Sequence, residues 1–290
     1  MEYSRKYMEV FNEKNLLSAW KEVIQHKTHA GADRIGIPEF DKNLQENIKR
    51  ILFEIDYGIY YVKPAEMLHR KKEIGLVAVE DKIVANCLKV YLNQLSRNYS
   101  IANSYAYQEG KSIYGAIDFL QEQKKENPYF YQCDIEEFFS SISREHLAEK
   151  LKSYVSDKKL YGLILQFIYM SCYKDGEIIN GTGLLLGNPL SPVLSNLYLY
   201  ELDCQFAQAF LVYVRYSDDM IFAKKQEFTK EELEWIEQRL EEEQLKLNQQ
   251  KSKVIAIGEG FTFLEMNLER KSSKKVKFIL AWKQKNQNLF

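Results

Sequence analysis

Asp218 and Asp219 are adjacent carboxylates inside an otherwise apolar, aromatic and β-prone stretch of the sequence. Two carboxylates in such a stretch cost free energy unless a cation or a metal pairs with them. The pattern predicts a strand, a tight turn and a second strand, with the acids at the tip. A polar hairpin turn without chemistry is the alternative, because Ser and Asp are common turn residues.

A third acid, Asp134, ends another aromatic, β-prone segment over residues 129–135. If this segment and the Asp218–Asp219 turn form neighbouring strands, three carboxylates converge. Carboxylate oxygens suit Mg²⁺, which prefers one or two carboxylates together with substrate phosphates. Two such ions about 4 Å apart can activate a sugar hydroxyl and stabilise a leaving pyrophosphate. Taken alone, Asp134 is equally compatible with a helix cap.

A loop rich in glycine and proline lies between these acids. Gly187-Asn-Pro-Leu-Ser-Pro192 is a turn signal that opens a helical segment. Such a loop also lets the backbone approach a ligand closely at a helix N-terminus. An ordinary helix start explains the same residues.

The composition is that of an ordinary globular protein. The 290 residues are 46% hydrophobic and 28% charged, and no run approaches the ~18 apolar residues of a transmembrane helix. The formal net charge of −1 argues weakly against a nucleic-acid partner, although it can hide local basic patches. The N-terminus lacks the apolar core of a secretory signal, so we expect a cytoplasmic protein. No CxxC pair indicates zinc, and reduced thiols are expected at Cys87, Cys133, Cys172 and Cys204.

Periodicity predicts a mainly helical first part and a mixed second part. Helices are expected over residues 15–24, 40–56, 80–95 and 114–124. From residue 129 the order is close to a βαββαβ pattern, with strands on both sides of the paired aspartates. The other expected elements are a strand at 129–135, two helices within 146–173, a short strand at 177–180, helices at 192–210 and 229–245, and strands at 253–257, 261–264 and 276–281.

Three motifs follow one another along the chain: Asp-Ile-x-x-Phe-Phe at 134–139, Gly-x-Pro-Leu-Ser-Pro at 187–192 and Tyr-x-Asp-Asp at 216–219. This order strongly resembles reverse transcriptases, above all the bacterial lineage of group II intron proteins, retrons, diversity-generating elements and phage-defence enzymes. At 104–112, Ser-Tyr-Ala-Tyr-Gln-Glu-Gly-Lys-Ser stands where that lineage has Ser-Tyr-Gly-Phe-Arg-Pro-Gly-Arg-Ser. Further similar segments lie at 31–35, 79–84, 247–253 and 261–265.

The resemblance implies an α+β right-hand polymerase fold. Mainly helical fingers would occupy residues 1–128, and a palm would occupy 129–268 with inserted helices at 146–173. The palm would be a βαββαβ antiparallel sheet with helices on one face. Residues 269–290 would form a short strand and tail in place of the helical thumb that the family usually has.

The resemblance also implies roles for single residues. Asp134, Asp218 and Asp219 would hold two Mg²⁺ ions, for which Mn²⁺ can substitute, with a backbone carbonyl from Ile135. Lys251 would be a general acid or charge stabiliser for pyrophosphate, although the sequence is equally compatible with a surface lysine.

Phe139 would be a steric gate whose ring clashes with a ribose 2′-hydroxyl. Core packing is its alternative, for which Phe138 is the better candidate. The implied nucleotide-binding residues are Arg70, Lys72, Phe139, Gly187, Asn188 and Pro189. The implied primer and template residues are Ser104, Gln108, Lys111, Tyr216, Ser217, Phe263 and Leu264. A solvated basic turn would equally explain Arg70 and Lys72.

The chain departs from the family pattern at several positions. Leu186 stands where many members have glutamine, Gln108 replaces an arginine, and Glu265 replaces a glycine. Without a thumb, poor processivity is expected unless a structured RNA, a second copy or a partner protein holds the duplex.

The implied function is RNA-directed DNA polymerase, adding dNTPs to a primer 3′ end by two-metal nucleotidyl transfer to give a DNA product. A dedicated non-coding RNA and a setting in anti-phage defence are expected, with no membrane association. Untemplated or protein-primed DNA synthesis, or a role in an intron, retron or diversity-generating element, stays open. A non-catalytic RNA-binding scaffold is disfavoured, because a scaffold has little reason to keep costly clustered carboxylates.

Overall fold

Residues 6–25, 29–68, 73–256, 262–263 and 266–267 are described by a computed structural model of the chain. The elements in chain order are α1 (Lys6–Val10), α2 (Glu13–Gln25), α3 (Ile37–Lys42), α4 (Leu44–Tyr57), β1 (Ala65–Leu68), β2 (Ile74–Leu76), α5 (Val79–Ser96), α6 (Ile113–Gln123), β3 (Tyr129–Asp134), α7 (Phe138–Ser141), α8 (Arg144–Tyr154), α9 (Lys158–Ile168), β4 (Cys172–Lys174), β5 (Glu177–Ile179), α10 (Ser191–Ala209), β6 (Val212–Tyr216), β7 (Asp219–Lys224), α11 (Lys230–Glu242), β8 (Lys253–Ala256), β9 (Thr262–Phe263) and β10 (Met266–Asn267). The predicted α+β class is confirmed.

The chain divides into two compact units. The first contains the described parts of Met1–Leu95 and Ser143–Leu194, and the second contains those of Ser96–Ile142 and Ser195–Lys285. Among the described residues, each unit therefore takes two separate stretches of sequence. The expected division into fingers, palm and C-terminal tail stays a prediction. The strand predicted at 276–281 and the whole segment 269–290 lie outside the described residues.

Apolar residues at helical spacing form the core of the first unit. In α4 the buried side chains are Ile48, Ile51 and Ile55, which share one face of the helix. Trp20 of α2 packs on Phe40 of α3, with ring centroids 5.2 Å apart. The helices predicted at 15–24 and 80–95 are present as α2 and α5. The segment predicted as one helix at 40–56 holds the end of α3 and most of α4, and α1 was not predicted.

The first unit also contains a small sheet, of which the sequence analysis predicted only β5. Its strand order is β2-β1-β4-β5, with β1 antiparallel to β2 and parallel to β4. Strands β1, β2 and β4 have only three or four residues, too few for an alternating pattern to stand out. The sequence analysis expected helix as far as residue 173. In the structure α9 ends at Ile168, and β4 begins at Cys172.

The second unit contains the predicted βαββαβ sheet. Its strand order is β6-β7-β3-β8, and every neighbouring pair is antiparallel. Helix α10 precedes β6, and α11 connects β7 to β8. The predicted capping box of α11 is present, because Thr229 Oγ1 accepts the Glu232 amide and the Glu232 carboxylate accepts the Thr229 amide.

Helices cover both faces of this sheet, whereas the sequence analysis expected them on one face. On one side Phe130 and Ile221 belong to a buried cluster with Leu120 of α6. On the other side Phe222 packs against Phe206 of α10, with ring centroids 5.0 Å apart. Neighbouring strand residues point to opposite faces, so a strand that is apolar at both Ile221 and Phe222 needs cover on both sides.

Among the described helices, none combines the length and the apolar character needed to cross a bilayer.

Candidate active site

The carboxylates singled out from the sequence meet at one end of the second unit's sheet. Asp134, the last residue of β3, pairs in register with Asp219, the first residue of β7. Tyr216 of β6 also pairs with Asp219, so Ser217 and Asp218 form a two-residue hairpin turn. Residues directly opposite each other in a sheet point to the same face. The register therefore puts Asp134 and Asp219 on one face, with Asp218 in the adjoining turn. Their joint role as a metal site stays a prediction.

Lys251 is held against the first of these acids. Its Nζ donates to both carboxylate oxygens of Asp134, at 3.0 and 3.1 Å. The backbone sets up this contact, because the Asn248 amide donates to the Asp134 carbonyl at 2.8 Å and the Lys251 amide donates to the Asn248 carbonyl at 3.0 Å. The hydrogen bonds to Asp134 raise the pKa of Lys251. The side chain of Lys251 is nevertheless 62% exposed, against 8% for that of Asp134.

Negative charge exceeds positive charge around the turn. Burial, and then the neighbouring Asp218 and Asp134, raise the pKa of Asp219 to about 7. Burial also raises the pKa of Asp218, with a further contribution from Asp134. The Lys251 ammonium opposes both shifts without cancelling them. A divalent cation would relieve this repulsion.

The chemistry of these donors fits Mg²⁺, which prefers carboxylate oxygens. Within the described ranges, no group of three or more His, Cys, Asp or Glu side chains is already arranged to hold a metal ion. Both carboxylate oxygens of Asp134 bond to Lys251. The fit thus rests on the type and proximity of the acids and on their unbalanced charge.

A buried ion pair that the sequence analysis missed supports the turn. Arg215 of β6 and Asp203 of α10 are each 1% exposed, and the guanidinium donates through Nε and Nη2 to the carboxylate at 2.7 and 2.5 Å. Its Nη1 donates to Asn196 Oδ1 and to the Ser217 carbonyl, at 3.1 Å each. Burial lowers the pKa of Arg215, but Asp203 and Tyr213 together raise it above the usual value. A signal existed in the sequence, because a charged residue in an apolar strand needs a partner.

A comparison with protein families identifies the chain. The model of a family described as reverse transcriptase (RNA-dependent DNA polymerase) matches residues 63–279. The chain belongs to the reverse transcriptase family.

Two curated proteins illustrate its relatives. The chain is 24% identical over 197 residues to the group II intron-encoded protein LtrA of Lactococcus lactis subsp. cremoris. This match covers 64% of this chain and 33% of LtrA. It is 22% identical over 299 residues to protein YkfC of Escherichia coli strain K12, covering 84% of this chain and 77% of YkfC. The chain therefore spans about a third of the intron-encoded protein and most of YkfC.

Two solved telomerase structures from Candida tropicalis share the fold of this chain. The complex with a TWJ fragment of telomeric RNA has a TM-score of 0.54 at 14% identity, covering 74% of this chain and 45% of the telomerase. The apo telomerase has a TM-score of 0.52 at 13% identity, covering 71% and 47%. At this identity the likeness shows the fold alone, and it agrees with the predicted polymerase fold.

The apolar residues of the reverse transcriptase motif at 134–139 differ in burial. Ile135 is buried, and its amide donates to the Asp218 carbonyl at 3.3 Å. Phe138 is buried, as expected of the core residue of the pair. Phe139 is half-buried, with its ring centroid 5.3 Å from that of Phe138 and 6.5 Å from that of Tyr107. Its role as a steric gate stays a prediction.

The three residues expected to line the template path hold a loop together. Gln108 Nε2 donates to Ser104 Oγ at 3.0 Å. Lys111 Nζ donates to the carbonyls of Ile101, Ala102 and Ser104 at 2.9, 2.8 and 2.7 Å. Ser104 is fully buried, so for this residue the structure favours a structural role over direct contact with a template. The template roles of Gln108 and Lys111 stay predictions.

The loop Gly187–Pro189 belongs to the first unit, where packing accounts for its first two residues. Gly187 has φ +95°, and a Cβ there would lie 2.3 Å from the carbonyl oxygen of Gly75. Asn188 is buried, donates through Nδ2 to the Phe167 carbonyl at 3.0 Å, and accepts a backbone amide through Oδ1 at 3.0 Å. Contact of this loop with a nucleotide stays a prediction.

The remaining expected site residues fall into two groups. Phe263 is fully buried in the core cluster of the second unit, and Tyr216 packs against that cluster. Ser217 is buried in the turn. Arg70, Lys72 and Leu264 lie outside the described residues. Primer and nucleotide contacts for all of them stay predictions.

Proposed function

We propose that this chain is an RNA-directed DNA polymerase that adds dNTPs to a primer 3′ end. The observation that carries the proposal is the register of the second unit's sheet. It pairs Asp134 with Asp219 and puts Asp218 in the adjoining turn. Lys251 lies 3.0 Å from the first of these acids. This combination of three acids and one lysine, in a chain of this family, supports nucleotidyl transfer.

Asp134, Asp218 and Asp219 would hold the divalent ions, with the carbonyl of Ile135 as a further oxygen donor. When bound, two Mg²⁺ ions, or Mn²⁺ in their place, would activate the primer hydroxyl and stabilise the charge of the leaving pyrophosphate. Asp134 would then share its oxygens between the ions and Lys251. The Lys251 ammonium would give pyrophosphate a proton or a balancing charge. The raised pKa of this lysine keeps it protonated, which supports the balancing charge and makes the ammonium a weaker acid.

Phe139 would select deoxynucleotides by filling the space of a ribose 2′-hydroxyl. Its half-buried ring, packed beside the buried Phe138, supports this role because a gate must keep its position when a substrate arrives. Comparing incorporation of dNTPs and NTPs by Phe139→Ala tests the assignment. Loss of discrimination is expected, and unchanged discrimination would contradict it.

The decisive experiment removes charge at the turn. Asp218→Asn combined with Asp219→Asn should lower Mg²⁺-dependent dNTP incorporation on an RNA template by at least about 10³-fold. Asp118→Asn is the matched control, because Asp118 is an exposed acid on α6. It should leave the rate unchanged. Unchanged incorporation in the double variant would refute the site.

We further propose that a dedicated non-coding RNA is the template or scaffold, in a setting of anti-phage defence. The resemblance to a bacterial lineage that includes phage-defence enzymes supports this, as does the telomerase neighbour solved with an RNA fragment. Sequencing nucleic acid from a native preparation tests the RNA partner. Phage plating on cells expressing the chain or its double Asn variant tests the defence role.

Primer extension with an RNA template, a DNA template or no template separates templated from untemplated synthesis. RNA dependence is expected. The predicted second copy or partner protein also stays a prediction, which mass photometry of the native preparation would test.

A further inference from the structure

A contact between two hydroxyls joins the turn of the candidate site to a tyrosine with no role in the proposal above. Tyr107 Oη lies 3.2 Å from Ser217 Oγ. Ser217 has φ +61°, a conformation that costs free energy in a residue other than glycine and persists only when the surroundings fix it. The Arg215 guanidinium donates to the Ser217 carbonyl, and the Tyr107 hydroxyl contacts the Ser217 hydroxyl.

The backbone leading to Tyr107 is itself anchored beside β6. The Arg215 amide donates to the Asn103 carbonyl at 3.0 Å, and the Tyr105 amide donates to the Arg215 carbonyl at 2.9 Å. Residue 104 thus bridges in parallel to Arg215 of the same strand that enters the turn. Tyr107 therefore approaches Ser217 from a segment whose position is set by the sheet.

The ring of Tyr107 contacts a second part of the site. Its centroid lies 6.5 Å from that of Phe139, with the ring planes at 60°. On another side Phe139 packs against Phe138, which is buried in the core. Phe139 is thus flanked by two aromatic rings, and such tilted pairs favour particular orientations. In the similar segment of the family, phenylalanine stands at this position, so Tyr107 keeps the ring and adds a hydroxyl.

We propose that Tyr107 is a positioning residue with two separable effects. Its hydroxyl holds the Ser217–Asp218 turn, and its ring holds Phe139 in the orientation that excludes a ribose. Tyr107 would act through these neighbours without touching the substrate. The inference rests on the proposed polymerase function for its kinetic consequences, but the support of the turn can be measured without activity.

The first test is a double-mutant cycle on the two hydroxyls. Tyr107→Phe and Ser217→Ala each remove one hydroxyl and should each lower kcat by about 3- to 10-fold, with KM for dNTP changed by less than about twofold. Ser217→Ala also removes the hydrogen bond of the Ser217 side chain to Asp218. In the Ser217→Ala background, Tyr107→Phe should therefore change kcat by less than about twofold, because the contact between the two hydroxyls is already absent. If the kcat losses of the two single variants multiplied in the double variant, the role of the hydroxyl would be overturned. Unchanged kcat in both single variants would overturn it as well.

The second test separates the ring from the hydroxyl. Tyr107→Leu removes the ring and should lower the preference for dNTP over NTP by at least about tenfold, whereas Tyr107→Phe should keep that preference. Equal preferences in the two variants would overturn the role of the ring. Unfolding curves of both variants show whether the chain is still folded.

Hydrogen exchange keeps the inference distinguishable from the proposed function. Amides in peptides spanning 212–224 should exchange about 3- to 10-fold faster in Tyr107→Phe. Tyr105→Phe is the matched control, because the Tyr105 ring lies beside Lys111 Nζ at 5.7 Å and does not need its hydroxyl for that contact. Its exchange should match the wild type. A wild-type chain without polymerase activity would refute the proposed function alone, while unchanged exchange in Tyr107→Phe would refute the positioning role.

Discussion

At the scale of a single residue, removing the Lys251 ammonium should affect the reaction rate much more than the stability of the fold. Its side chain is 62% exposed, and an ion pair this exposed contributes about 0–1 kcal/mol to folding. If the ammonium assists the departure of pyrophosphate, its removal costs about 10²–10³-fold in rate. We expect Lys251→Met to lower kcat by that factor in single-nucleotide incorporation, with an unfolding free energy unchanged within about 1 kcal/mol.

A neighbouring lysine provides the control for this prediction. Lys253 is exposed on β8, two residues further along the chain. Lys253→Met loses the same charge and should keep the wild-type rate. If Lys251→Met also keeps that rate, the lysine is a surface residue whose contact with Asp134 does no chemistry.

At the scale of elements, the turn before α10 depends on a residue without a side chain. Gly187 has φ +95°, and an added Cβ would lie 2.3 Å from a backbone oxygen of β2, which has no freedom to rotate away. Strain and overlap together should lower the unfolding free energy of Gly187→Ala by about 2–5 kcal/mol, as measured by urea unfolding.

Gly162 is the matched control for that substitution. It lies inside α9, and an added Cβ meets nothing within 4 Å. Gly162→Ala should raise the unfolding free energy by about 0.5–1 kcal/mol, because alanine loses less backbone entropy in a helix. If both variants were destabilised alike, the conformation of the turn would not be the cause.

At the scale of the whole molecule, a buried acid should make stability depend on pH. Asp81 at the start of α5 is fully buried, and its carboxylate accepts the Tyr60 hydroxyl at 2.6 Å and the Lys63 amide at 3.0 Å. Burial, and to a smaller extent the neighbouring Glu80, raise its pKa to about 7. The folded chain therefore keeps a proton that the unfolded chain releases above about pH 4. The unfolding free energy should fall as pH rises through this window.

The size of this effect follows from the shift. At 1.36 kcal/mol per pKa unit, the fall between pH 5 and pH 7 should be on the order of 3 kcal/mol. Asp81→Asn keeps the size of the side chain and removes the titration, so its urea unfolding should vary less with pH over the same range. A variant as pH-dependent as the wild type would assign the effect to other groups.

Local patterns predicted those parts of the fold that depend on neighbours in sequence. The capping box of Thr229 and Glu232 was predictable because both residues lie in one helical turn. The paired strands around Asp218 and Asp219 were predictable because apolar runs flank a turn signal. Apart from β5, the sheet β2-β1-β4-β5 was not predictable, because its strands are short and because its central pair, β1 with β4, joins segments far apart in the chain.

By itself, the sequence determined the α+β class, the resemblance to reverse transcriptases and the identity of the three acids. Each of these depends on residue type, spacing and motif order. Only the tertiary structure decided that Lys251 bonds to Asp134, that Arg215 pairs with Asp203 behind the turn, and that Ser104 is buried. Such contacts depend on strand register and on how distant segments pack, which local sequence patterns do not encode.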